Sequence, residues 1–233
     1  YIDLFCGAGG LSLGFDEAGF ENILAVELQP AFAKTYQRNF PDHPLLVEDI
    51  RQISDERLLE LTSGKTVDVI VDGPPCQGFS IAGNIGRTFL DDERNRLFKE
   101  FVRFVAYLKP KMFVMENVAA MATHLKGKTI AAVEDAFETA GLGYRVQWQV
   151  LNSVHFGVPQ ERRRLVMVGI RKDFETAFAY PKEQERVYTV KDAIGDLPPL
   201  KSGEESAIPN HKAMKHSPQM LKKMSYVKDG GDR

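Results

Sequence analysis

The chain has 233 residues, 43% hydrophobic and 27% charged, with 30 Lys+Arg against 32 Asp+Glu. At roughly 150 residues per domain this gives one to two domains with enough apolar mass for a real core. The net charge of −2 excludes a uniformly basic nucleic-acid coat but leaves room for a local basic cleft.

No apolar run reaches the roughly 18 residues of a membrane span, and no charged-then-apolar leader precedes the first strand. Cys6 and Cys76 form neither a disulfide framework nor a zinc ligand set, so no metal is expected. The chain reads as a reduced, intracellular, soluble α/β protein.

In chain order, strands are expected at residues 1–5, 23–27, 67–71, 112–116, 144–151 and 165–169. Helices are expected between them at 11–18, 31–39, 57–61, 96–108 and 130–139. The helix over 96–108 is the clearest, with Leu97, Phe98, Phe101, Val102, Phe104, Val105 and Leu108 on one broad face. Pro110 ends it, because the residue before a proline disfavours helical backbone. Such alternation predicts a doubly wound, mostly parallel sheet with helices on both faces.

Composition shifts near Pro181. Residues 1–180 hold 20 basic and 24 acidic side chains, whereas 181–233 hold 10 and 8, with five prolines. A short helix is expected at 190–194, a turn at 197–199 and a helical segment at 220–224. Residues 1–180 read as one domain and 181–233 as a connector. The opening on Tyr1 and the ending Gly230-Gly231-Asp232-Arg233 lead us to expect a piece of a longer protein.

The first strand runs into Cys6-Gly7-Ala8-Gly9-Gly10 and then a helix. In an open parallel sheet, ligands bind beyond the carboxyl ends of the strands, where glycines allow close backbone approach. Glu27 closes the second strand, placed to accept both hydroxyls of a ribose. The pairing points to a nucleoside cofactor. The G-x-G-x-x-G fingerprint fails at Ser12, which fits a cofactor without a pyrophosphate, such as S-adenosylmethionine. A glycine-rich turn with no ligand is the plain alternative.

The strand at 67–71 leads into Asp72-Gly73-Pro74-Pro75-Cys76-Gln77-Gly78-Phe79-Ser80. The prolines stiffen this approach and present Cys76 at the same sheet edge. Most lone cysteines are small core hydrophobes, but this segment is polar and turn-rich, so a nucleophile is the better reading. Glu116, followed by Asn117, ends an apolar strand, where a carboxylate is costly without a role or a partner. A salt bridge or a helix cap would also account for it. Strand alternation puts Arg162 and Arg164 on one face and Arg163 on the other. Such a triplet is either a solvated run or, beside Cys76 and Glu116, a binder of an anion or a base carbonyl.

Taken in order, Asp3-Leu4-Phe5-Cys6-Gly7-Ala8-Gly9-Gly10, Pro74-Pro75-Cys76-Gln77, Glu116-Asn117-Val118 and Gln160-Glu161-Arg162-Arg163-Arg164 resemble the motifs of the DNA (cytosine-5)-methyltransferases. The segment 190–198 is similar to the family's passage toward its target-recognition domain. The resemblance implies a Rossmann-like S-adenosylmethionine-dependent methyltransferase fold with an antiparallel late strand. It implies a cofactor pocket lined by Asp3, Phe5, Gly7, Gly9, Leu28, Pro74 and Leu97, with Glu27 on the ribose. Asp49 and the Ile50 backbone would face the adenine edge. Leu28 stands where the family often has an aromatic residue, which weakens adenine stacking.

By the same resemblance Cys76 is the nucleophile, Glu116 the partner of the target base, and Arg162 and Arg164 its supports. Pro75, Gln77, Ser80 and Asn117 would meet the substrate, and Ser80, Arg87 and Arg94 the phosphates. A thiolate adding to carbon 6 of cytosine makes carbon 5 nucleophilic toward the methyl group. Free cysteine titrates near about 8.5, so nearby arginines would raise its thiolate fraction. The base must leave the duplex stack to be reached. The implied partners are double-stranded DNA and a cognate restriction endonuclease, for a cytoplasmic, nucleoid-associated monomer. Transfer-RNA methylation, a non-catalytic cofactor-binding module and a nicotinamide dehydrogenase are the alternatives, the last opposed by Ser12.

Overall fold

The computed structural model describes residues 1–75 and 96–227. Among these, seven strands form one sheet in the order β3-β2-β1-β4-β5-β7-β6. The strands are β1 (Ile2–Leu4), β2 (Leu24–Val26), β3 (Leu45–Leu46), β4 (Val69–Asp72), β5 (Met112–Val118), β6 (Tyr144–Asn152) and β7 (Arg163–Arg171). From β3 to β5 every neighbour pair is parallel. The β5–β7 and β7–β6 pairs are antiparallel. The doubly wound order and the antiparallel late strand are both as expected.

Helices α1 (Gly10–Glu17), α2 (Pro30–Asn39), α3 (Asp55–Leu61), α4 (Arg96–Leu108) and α5 (Lys128–Thr139) fill the crossovers. Pro30 occupies the first turn of α2, where its missing N–H costs nothing. Ser54 caps α3 by accepting the Arg57 amide at 3.2 Å. The main core lies on the face covered by α4 and α5: Ile2, Leu4 and Ile70 meet Phe101, Phe104, Phe113 and Phe137. Phe113 and Phe137 stack at 4.0 Å. On β7 only a glycine fits opposite Phe113, because a Cβ at Gly169 would sit 2.0 Å from its ring.

Two expectations change in extent. β3 has no counterpart in the predicted elements. β5 and β7 outrun their apolar stretches, so Glu116, Asn117, Arg163 and Arg164 are ladder residues. Beyond the sheet, α6 (Val190–Ile194) and α7 (Pro218–Met224) carry no buried side chain. Among the described residues no helix is long and apolar enough to cross a membrane.

Candidate active site

A cavity of about 440 Å³ opens beyond the carboxyl ends of β1, β2, β3 and β4. Phe5, Gly7, Glu27, Leu28, Asp49, Ile50 and Leu97 line it together. Glu27 is buried, at 7% exposure, and held from two sides. Its Oε2 accepts the Gly7 amide at 3.0 Å and its Oε1 the Gln29 amide at 2.7 Å. A carboxylate has about four acceptor positions. Two remain, and a vicinal diol supplies two O–H groups. Phe5, ahead of the loop, adopts left-handed backbone with φ 56°, uncommon for a residue with a side chain.

Asp49 and Ile50 sit at a 3₁₀ turn over Ile50–Gln52. Asp49 accepts the Arg51 amide at 3.0 Å and pairs with its guanidinium, which holds the carboxyl below the usual range. The turn is anchored from α4, where Arg103 donates to the Ile53 carbonyl at 2.8 Å and pairs with Glu100 and Asp55.

Asp3, Gly9 and Pro74 take other places. Asp3 is buried beneath the loop, where it accepts the Ser12 hydroxyl at 2.5 Å. Ser12 bonds Tyr36 at 2.7 Å, and Tyr36 bonds His43 at 2.9 Å. Burial pushes Asp3 up to about 7. The failed fingerprint has its physical reason here: the position where a dinucleotide site wants glycine holds a buried hydroxyl serving an acid. Gly9 caps α1 at φ 95°, and a Cβ there would fall 2.1 Å from the Phe40 ring. Pro74 is buried behind Gly73 and Pro75, which line the cavity instead.

The second cluster stands at the carboxyl end of β5. Arg164 Nε lies 2.8 Å from Glu116 Oε1, and Arg162 Nη2 lies 3.7 Å from the same oxygen. Arg164 pairs with Val118 in the ladder, so it reaches Glu116 diagonally across the antiparallel pair. The structure thus brings Glu116, Arg162 and Arg164 together, an ion-pair arrangement that also meets the salt-bridge reading of Glu116. Asn117, on the other face, donates to the Pro74 carbonyl at 3.3 Å, tying β5 to the segment that leads to Cys76. Cys76, Gln77, Ser80, Arg87 and Arg94 lie outside the described residues.

Sequence reasoning missed Val26, Gln29, Phe32, Glu48, Arg51, Gly73 and Arg96 among the cavity walls. Pro30 marked the start of α2 and so could have pointed to Gln29 and Phe32. Arg103 acts through Ile53 and Asp55, partners that no local pattern encodes.

The sequence model for C-5 cytosine-specific DNA methylases matches residues 1–231. The Type II methyltransferase M1.HphI of Haemophilus parahaemolyticus is 56% identical over 233 residues, 100% of this chain and 62% of that protein. The Type II methyltransferase M.XorII of Xanthomonas oryzae pv. oryzae is 41% identical over 206 residues, 88% of this chain and 47% of that protein. A solved structure described as a prophage-encoded DNA modification methyltransferase of Escherichia coli matches with a TM-score of 0.72. It shares 32% identity, over 88% of this chain and 57% of its own. This chain thus spans less than two thirds of the length of each. With the match running through 231 positions, on a sheet whose edge assembles Glu27, Glu116 and Arg164, the chain belongs to the C-5 cytosine-specific DNA methylase family.

Proposed function

We propose that the chain carries the cofactor-binding and catalytic part of a DNA (cytosine-5)-methyltransferase, which methylates carbon 5 of a cytosine extruded from duplex DNA. The observation that carries this reading is the juxtaposition at one sheet edge of two prepared carboxylates. Glu27, held by two backbone amides, faces the cavity, and Glu116, held by Arg164, stands beside the Pro74-Pro75 approach. S-adenosylmethionine would occupy the cavity, with its ribose on Glu27 and its adenine between Leu28, Ile50 and Leu97, and would supply an electrophilic methyl group.

In this reading the Cys76 thiolate adds to carbon 6, leaving carbon 5 as an enamine carbon able to take the methyl group. Glu116 accepts the exocyclic amine of the base and shares a proton with the ring nitrogen, and Arg164 fixes its orientation. Loss of the carbon 5 proton and expulsion of the thiolate then release the methylated base. The chemistry requires the cytosine to leave the stack, at a cost of a few kcal/mol. Residues 1–180 would hold this machinery, and residues 181–233 would lead toward target recognition. A restriction endonuclease of the same specificity is the partner this reading implies.

The test is labelled-methyl transfer to duplex DNA and to total transfer RNA, measured side by side for the protein and for Cys76→Ala. Transfer to DNA that the substitution abolishes, with S-adenosylmethionine binding retained, is expected. Turnover by Cys76→Ala, or transfer to RNA alone, would overturn the reading.

A further inference from the structure

Asp72 ends β4, and its side chain is fully buried. Among the described residues no side chain hydrogen-bonds either carboxyl oxygen, a condition few buried polar groups tolerate. Its ladder partners are Leu4 on β1 and Met115 on β5, both apolar and fully buried. Strand pleat sets Asp72 on the same face as Leu4 and Ile70, the face that α4 covers. Directly after these residues come Phe5 and Gly73, which with Pro75 and Leu97 line the cavity. A buried acid therefore stands one residue behind the cavity wall, next to Gly73, without itself lining it.

Its surroundings favour the neutral form. Burial raises Asp72 well above the carboxylate range, and Asp3 from β1 and Glu116 from β5 raise it further, eased only by the adjacent Gly73 amide. Among the described residues the charged groups lining the cavity are Glu27, Glu48, Asp49, Arg51 and Arg96, with Arg51 paired to Asp49 and Arg96 also engaged. An uncompensated buried acid is costly unless a ligand gives it a counter-charge.

We propose that Asp72 is the counter-ion for the sulfonium end of S-adenosylmethionine, losing its proton to solvent as the cofactor binds and regaining it when the uncharged thioether product remains. This rests on the cofactor reading above. The donor and its demethylated product share the ammonium, carboxylate and adenosine, and differ in the sulfonium charge. Asp72 thus becomes a device for telling methyl donor from spent product.

The test is calorimetric titration of the wild-type chain with S-adenosylmethionine and S-adenosylhomocysteine in buffers of different ionisation enthalpy, repeated across pH 6 to 8. The donor should release about one proton more than the product, with an affinity rising up to about tenfold per pH unit while that of the product stays flat. Asp72→Asn, neutral and of the same shape, should keep product binding and lose about tenfold of the preference for the donor. Equal proton counts for the two ligands in the wild type would overturn the proposal, whatever the variant does. So would an undiminished donor preference in Asp72→Asn. Failure to bind either ligand would instead overturn the cofactor reading on which the proposal stands.

Discussion

Glu27→Gln separates the structural and ligand-binding duties of one side chain. In the native site each carboxylate oxygen accepts one backbone amide, Gly7 at 3.0 Å and Gln29 at 2.7 Å, with the residue 7% exposed. Glutamine preserves the shape but turns one acceptor into an NH₂ donor. Whichever way the amide sits, one backbone N–H then faces another donor. A buried donor left unsatisfied costs about 1–3 kcal/mol. At roughly 2–4 °C per kcal/mol for a chain of this size, the ligand-free melting temperature should fall by about 2–12 °C. The diol loses a charged acceptor as well, worth about 1.5–3 kcal/mol, so the Kd for S-adenosylmethionine should rise roughly 10- to 100-fold. Thermal denaturation without ligand reads the first quantity and calorimetric titration the second. An unchanged melting temperature would refute the anchoring of the glycine loop by Glu27, and an unchanged Kd its place on the ribose.

Two other changes probe the remaining parts of the site. Arg164→Met removes the 2.8 Å contact to Glu116 and should slow methyl transfer on the order of 10²-fold through misplacement of the carboxylate, with cofactor affinity unchanged in titration. A matching loss of cofactor affinity would refute the division between the two clusters. Asp3→Asn addresses pH. Burial raises Asp3 from 3.8 to about 7, so between those values the native state keeps a proton that the unfolded chain has released. Its contribution therefore falls as pH rises through that window, and Asp3→Asn should gain stability over the wild type progressively from pH 4 to 7 in denaturant melts. Parallel pH profiles for the two proteins would contradict this.

The parallel sheet, its order of helices and the position of Glu27 were legible because they follow from apolar periodicity and from glycine and carboxylate spacing. β3 was not, since Leu45–Leu46 is a two-residue, half-buried pairing with no period to detect. β5 and β7 run on past their apolar stretches because backbone pairing is indifferent to side-chain polarity at a sheet end. Ser12 told only half its story in sequence. Its failure to be glycine argued against a pyrophosphate, while its bond to Asp3 depends on the strand-to-helix turn that stacks the two. Arg103 shows the limit most clearly. The apolar stripe of α4 was readable, but its polar side carries an arginine whose partners, Ile53 and Asp55, lie about 50 residues upstream in the chain.

The reversal of β7 explains why a basic triplet could serve the site at all. In a wholly parallel sheet, residues at the start of a strand lie at the edge opposite the one where ligands bind. Arg162 precedes β7 and Arg163 and Arg164 open it, so a parallel β7 would have carried them a full strand length away from Glu116. Because β7 runs antiparallel to β5, its first residues meet the last residues of β5, with Arg164 opposite Val118 and within reach of Glu116. On its other side β5 pairs in parallel with β4, whose carboxyl end feeds Pro74 and Pro75 toward Cys76. β5 is thus the strand where the two connection types join. Glu116 faces the arginines from one side of it, and Asn117 holds the Pro74 carbonyl from the other. Shifting β7 by one residue would turn Arg164 to the opposite face and replace it with Arg163. The nine-residue ladder with β6 works against that slip, and so does Gly169 opposite Phe113, because any other register would press a side chain against that ring.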